Sequence, residues 1–94
     1  MTVSDPNDYI TQLEAKLERI DRETQCWLDW ARKSGSREQH LQISLLRDQI
    51  DRLRFDLSRV NTRTYAVWRG QKTHLNRAWR EIQMAYHSVV RTLQ

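Results

Sequence analysis

Residues 57–82, LSRVNTRTYAVWRGQKTHLNRAWREI, decide how this chain folds. The stretch contains six basic residues, and no acidic residue lies between Asp56 and Glu81. Three aromatic side chains, Tyr65, Trp68 and Trp79, are interleaved with the basic ones. This combination of arginine and aromatic residues is typical of a surface that meets a partner.

Placed on a helix at about 100° per residue, the stretch separates into an apolar face and a basic face. The apolar face stays in phase with positions on both sides of the stretch. Because a break usually resets the phase, the agreement favours one long helix from about 37 to 93, roughly 85 Å in length. The in-phase positions are Leu46, Ile50, Leu53, Leu57, Val60, Thr64, Trp68, Leu75, Ala78, Ile82, Tyr86, Val89 and Leu93.

The N-terminal third reads as a separate helix, from about 6 to 33. Asp5 can cap it and Pro6 suits its first position. Gly35, after two basic residues, is typical of a helix stop with positive φ, and Ser36 with Gln39 has capping-box spacing. Two helices joined by a turn at 34–36 must lie antiparallel. The apolar positions of this helix alternate at spacings of three and four, as in a coiled coil: Ile10, Leu13, Leu17, Ile20, Thr24, Trp27 and Ala31.

The fold class is therefore all-α, an antiparallel helical hairpin with a long second helix and coiled-coil-like packing. A compact three-helix bundle is the alternative. Residues 61–64, Asn-Thr-Arg-Thr, contain three poor helix formers, and Gly70 costs about 1 kcal/mol relative to alanine in a helix. A break near 61–70 would give three helices, and the sequence leaves both arrangements open.

The long second helix has a consequence for assembly. The first helix can cover it only to about residue 65, so its C-terminal apolar side chains would face water. An exposed apolar stripe of that size is normally an interface. We therefore expect a homodimer whose C-terminal halves form a helical bundle. The expected interface residues are Trp68, Leu75, Trp79, Ile82, Tyr86, Val89 and Leu93.

Composition limits the chain to a single helical domain, 1–94. Charged residues make up 30% of it with only two glycines and one proline, which suits long helices. The sequence has no run of 18 apolar residues and no visible secretory leader, so we expect no membrane span. The lone Cys26 fits a reducing compartment, and we expect the cytoplasm.

Constellations that carry catalysis are missing from the sequence pattern. His40, His74 and His87 are not spaced to bind a metal with one another or with Cys26. The two glycines are far apart, so they form no phosphate-binding loop. Within the second helix, spacing predicts i,i+4 ion pairs: Arg47 with Asp51, Asp48 with Arg52, and Arg52 with Asp56. We expect no enzyme activity, no cofactor and no metal.

The function that the sequence favours is association. The preferred interpretation is a non-enzymatic helical scaffold, adaptor or regulator that acts as a homodimer and through a protein partner. The alternative is a nucleic-acid-binding accessory protein, because arginine binds phosphates and aromatic rings stack on bases. A membrane-surface role is the least favoured. The expected polyanion-binding residues are Arg59, Arg63, Arg69, Arg77 and Arg80.

Overall fold

The protein is described by a computed structural model that covers residues 6–93. Its elements are three helices, α1 (Pro6–Ser34), α2 (Arg37–Ser58) and α3 (Tyr65–Leu93). The predicted all-α class is confirmed, and no strand occurs within these residues. The predicted N-cap, Asp5, lies outside the described residues.

The connection between α1 and α2 consists of Gly35 and Ser36. A complete capping box begins α2: the Gln39 N–H donates to the Ser36 hydroxyl at 3.1 Å, and the Ser36 N–H donates to the Gln39 side chain at 2.9 Å. The predicted positive φ of Gly35 is wrong, because no residue in the described part of the chain adopts positive φ. Glycine is instead needed for space, since a Cβ there would lie 2.8 Å from the Ala31 Cα.

The predicted continuous second helix is also wrong, because α2 ends at Ser58 and residues 59–64 connect it to α3. The weak window at 61–64 supplies the physical reason. The Arg63 N–H donates to the Asn61 side chain at 2.9 Å, a local bond that competes with the helix. The Asn61 N–H donates to the Gln71 side chain at 2.9 Å, which holds the turn against α3. Gly70 lies within α3 and breaks nothing.

Paired side chains give the directions of the helices. Asp21 of α1 contacts Arg54 of α2 at 3.1 Å, whereas Gln25, one turn later, contacts Arg47 at 2.5 Å. A later residue of α1 therefore meets an earlier residue of α2, so the two helices run in opposite directions. Because α3 folds back again, the molecule measures 48 × 24 × 17 Å and is not an extended rod.

The core lies along the inward side of α2, which packs against both α1 and α3. Thr24 is the buried polar residue of α1, and its hydroxyl donates to the Ile20 carbonyl oxygen at 2.7 Å. This bond satisfies a group that would otherwise be costly to bury. The buried apolar residues are Leu13, Leu17, Leu28 and Ala31 from α1, Ile43, Leu46, Ile50, Leu53 and Leu57 from α2, and Trp68, Leu75, Ile82 and Val89 from α3.

Candidate interaction surfaces

The residues predicted to form a dimer interface lie on the inward side of α3. Trp68, Leu75, Ile82 and Val89 are buried in the chain's own core, and the other three are half-buried beside it: Trp79, Tyr86 and Leu93. The stripe therefore has a partner within the chain. The premise that it must face water does not hold for this fold, and the homodimer stays a prediction that needs another surface.

Two tyrosines join α1 to α3. The Tyr86 hydroxyl donates to the Glu23 carboxylate at 2.6 Å, and its ring lies 5.3 Å from that of Trp27. This hydrogen bond, followed by partial burial, raises the pKa of Tyr86, because the carboxylate favours the neutral phenol. At the other end, the ring centres of Tyr9 and Trp68 lie 5.6 Å apart in a T-shaped arrangement, and burial raises the pKa of Tyr9.

An open groove of about 240 Å³ follows the α1–α3 contact near Tyr86. Ile20, Trp79 and His87 contribute to its lining. It is shallow and largely open to solvent, and its charged lining residues, such as Arg19 and Glu23, pair with each other at 3.9 Å.

A basic surface follows the outward side of α3. Of the five arginines predicted to bind a polyanion, three are exposed on α3 and two lie in the 59–64 connection, with Arg59 above the Phe55 ring at 5.5 Å. Arg91, which the sequence analysis missed, extends this surface by about 16 Å beyond Arg80. We call the following four residues the basic ridge: Arg69, Arg77, Arg80 and Arg91.

The basic ridge carries its charge without internal compensation. None of its four guanidinium groups forms an ion pair or hydrogen bond within residues 6–93. Glu81 is the single acidic residue of α3 and is exposed on the same helix. Lys72, by contrast, is directed toward α1, where its ammonium group lies 5.3 Å from the centre of the Tyr9 ring.

A second surface, on the outward side of α2, was not identified from the sequence. Leu41, Leu45 and Phe55 are 59%, 56% and 57% exposed. Together with the exposed charged residues between and after them, they recur at alternating steps of four and three, the spacing of a helix-packing seam. We call these residues the outer seam: Leu41, Leu45, Asp48, Arg52, Phe55 and Arg59. The same spacing can be seen in the sequence, but it was overlooked because the apolar residues on the other side of α2 form a more regular pattern.

Ion pairing around α2 differs from the prediction. Of the three predicted pairs, only Arg47 with Asp51 forms, at 3.5 Å, and the other two predictions are wrong. Asp56 instead faces His74 of α3, with 3.0 Å between Nε2 and the carboxylate oxygen. The side chains of Asp48 and Arg52 consequently have no ion-pair or hydrogen-bond partner within residues 6–93.

Residues 6–93 also bear on metal binding, membrane insertion and thiol chemistry. No three His, Cys, Asp or Glu side chains of this part of the chain are grouped so that they could hold a metal ion. None of its helices combines the length and apolar character needed to cross a membrane. Cys26 is exposed on α1 as a free thiol.

Comparison of the chain with protein-family models, with curated proteins and with solved structures finds no match. Function is therefore inferred from the chemistry of the two outward surfaces, the outer seam of α2 and the basic ridge of α3.

Proposed function

We propose that this protein is a non-enzymatic helical interaction protein, a scaffold, adaptor or regulator that works by protein–protein association through the outward side of α2. The observation that carries the proposal is the outer seam, in which three large apolar side chains are more than half exposed at helix-packing spacing. Single exposed apolar residues are ordinary, but a regular row of them along one helix supports an interface.

The chemistry of the outer seam suits a protein partner. Phe55 offers a large apolar ring with a guanidinium group beside it, and aromatic rings and arginine are both enriched at the energetic centres of protein interfaces. Leu41 and Leu45 add aliphatic surface one and two helical turns from the start of α2. A helix laid along this face would cover all three side chains at once.

A homodimer is compatible with this surface and leaves the three-helix fold intact. A dimer through the C-terminal stripe requires a change of fold, because α3 would have to leave its own core and residues 59–64 would have to become helical. We therefore assign coiled-coil-like self-association to the outer seam. The lone, exposed Cys26 supports a reducing compartment, and the cytoplasm remains the proposed location.

Affinity capture from a nuclease-treated lysate of the source organism tests the proposal. The bait is the tagged chain, compared with a variant that carries Leu45→Glu and Phe55→Glu. We expect the variant to lose the captured protein, because a buried unpaired carboxylate is strongly unfavourable. The matched control, Val67→Glu with Met84→Glu, alters two exposed apolar residues of α3 and should capture as the wild type does. Equal capture by all three baits would contradict the proposal.

Nucleic-acid binding is the second candidate, and the unpaired basic ridge is the observation that favours it. Its four arginines span about 33 Å of α3, and residues 59–93 contain seven basic side chains against the single acid Glu81. Phosphates would meet guanidinium groups that need not release an internal partner, and binding would liberate counterions.

A titration with fluorescent random duplex and single strand at about 50 mM salt tests this second candidate. Changing the four ridge arginines to glutamine should weaken binding equally for all sequences and flatten its salt dependence. The matched control removes the same number of charges elsewhere: Arg22→Gln, Arg32→Gln, Lys33→Gln and Arg37→Gln. Absence of wild-type binding, or equal losses in both variants, would remove the ridge as a nucleic-acid site.

A further inference from the structure

We propose that the partner of the outer seam is a second copy of this chain, with the two α2 helices antiparallel about a two-fold axis that passes near position 50. This inference rests on the proposed function and specifies its partner. It follows from the order of apolar and charged residues along the seam. When one seam is laid against a second copy that runs in the opposite direction, opposite charges face each other at the centre and apolar residues face apolar residues on either side of them.

The pairing can be read directly from the residue numbers. In an antiparallel pair centred at position 50, residues equally far from that position on either side face each other. Leu45 then meets Phe55 of the second copy, and Asp48 meets Arg52 of the second copy. The symmetry repeats each contact, so the seam holds two ion pairs at its centre with an apolar contact outside each of them.

The ends of the seam also match. Leu41 faces Arg59 of the second copy, whose guanidinium group already lies over the Phe55 ring of its own chain. The aliphatic stem of an arginine in that position can cover a leucine while its charged end stays in water. Every residue of the outer seam therefore has a suitable opposite residue in this arrangement.

The central charges select this register over its competitors. A parallel pair would place Asp48 beside Asp48 and Arg52 beside Arg52, which is repulsive. An antiparallel pair shifted by one heptad toward the start of α2 would place Leu45 against Asp48 and Leu41 against Arg52, burying charges without partners. A shift by one heptad toward the end of α2 would leave Leu41 and Leu45 without an opposite residue on α2. Polar residues inside a helix-packing seam are known to fix register and orientation in this way.

Docking would not require the two central charges of the seam to give up a partner. Asp48 and Arg52 have no partner within the described chain, and the three apolar side chains of the seam are more than half exposed. Helices α1 and α3 pack on the opposite side of α2, so neither lies over the seam. The seam is about 27 Å long, and a contact of this length belongs to the small interfaces, for which we expect micromolar association.

Charge-swap variants, measured by light scattering and sedimentation, test the pairing. We expect the wild type to reach twice the 11.4 kDa mass of the chain as its concentration rises. Asp48→Arg and Arg52→Asp should each weaken association by about 100-fold or more, because each places like charges opposite one another. The double variant restores opposite charges in reversed order and should dimerise again.

Mixing the two single variants provides an independent rescue. One chain then carries two arginines and the other two aspartates at positions 48 and 52, so the mixture should form a heterodimer although each chain alone is a monomer. The matched controls are Glu18→Arg on α1 and Arg80→Asp on α3, both at exposed sites, and they should leave the dimer unchanged. Circular dichroism of each variant confirms the helical fold.

The outcomes separate this inference from the proposed function. A wild type that stays monomeric at about 200 μM, far above a micromolar Kd, overturns the second copy as partner. A dimer that is indifferent to the single swaps, or is not restored in the mixture, also overturns it. If Leu45→Glu with Phe55→Glu still abolishes capture of a different protein, the proposed function survives. If that variant captures normally, the proposed function itself fails.

Discussion

The two sides of α2 have nearly the same residue spacing, but the inward side is buried and the outward side is exposed to solvent. On the inward side, Ile43, Leu46, Ile50 and Leu53 recur at three, four and three residues and are at most 1% exposed. On the outward side, the outer seam recurs at four and three, yet its leucines remain more than half exposed. The inward row is apolar throughout, whereas the outward row has Asp48 and Arg52 at its centre.

Spacing shows which residues share a face of a helix, whereas residue identity shows what that face can bury. An unbroken apolar row can be enclosed by any helix with a matching stripe, here α1 and α3. A row with opposite charges at its centre needs a partner that pairs them, because an unpaired buried charge is costly.

The largest effect is expected from truncation on the inward side. Ile50→Ala should lower the free energy of unfolding by about 2–5 kcal/mol, because it removes buried carbon atoms and leaves a cavity. Leu45→Ala, the matched change on the outer seam, should stay within about 0.5 kcal/mol. Urea unfolding at protein concentrations below the dimer range measures both. Comparable losses in the free energy of unfolding would show that both sides of α2 contribute equally to the stability of the monomer.

The inward side also depends on the turn that brings α1 against α2. Gly35→Ala should destabilise the protein by about 1–3 kcal/mol, because its Cβ would lie 2.8 Å from the Ala31 Cα. Gly70→Ala is the control with the opposite expected sign. Nothing lies within 4 Å of a Cβ there, so the change should stabilise α3 by about 0.5–1 kcal/mol. Thermal unfolding followed by circular dichroism measures both changes in stability. If the two substitutions changed stability in the same direction, the account of Gly35 would be contradicted.

A smaller effect is expected at the start of α2. Ser36→Ala removes the hydroxyl that accepts the Gln39 N–H and should cost about 1 kcal/mol. Ser88→Ala, at an exposed position within α3, is the control and should be nearly neutral. The measurement is again the free energy of unfolding. A neutral Ser36→Ala would mean that packing of the inward side, and not its cap, positions this end of α2.

The smallest effect concerns the contact between α1 and α3 that closes the inward side. The pKa of Tyr86 is raised in the fold, so the fold favours the neutral phenol, and the stability this contributes is lost as pH rises above about 10. Tyr86→Phe should therefore reduce the fall in stability between about pH 9 and pH 11. Tyr65→Phe, at an exposed position, is the control. Urea unfolding across this range would refute the role of Tyr86 if both variants kept the wild-type slope.

Local signals in the sequence were sufficient for the all-α class, for α1 and for the first turn, whereas the preferred interpretation missed the break at 59–64. Capping chemistry involves neighbouring residues only, so Ser36 and Gln39 identified the start of α2 correctly. The apolar period identified the buried residues of α3 and most of those of α1 and α2, because a side chain's place on a helix follows from its number, but Leu28 and Ile43 were not predicted. The reason for Gly35 was not readable, since the close approach of Ala31 is a property of the folded turn.

Only the tertiary structure decided whether the chain continues or folds back at 59–64. The apolar stripe is in phase across these residues, so the same pattern can serve one long helix or two antiparallel ones. The choice depends on a partner for Trp68, Leu75 and Ile82, and the chain supplies that partner itself. The sequence therefore determined most of the side chains that leave water, because burial follows from a residue's position on its own helix. The tertiary structure determined which residues they contact, because packing involves residues that are distant in the sequence.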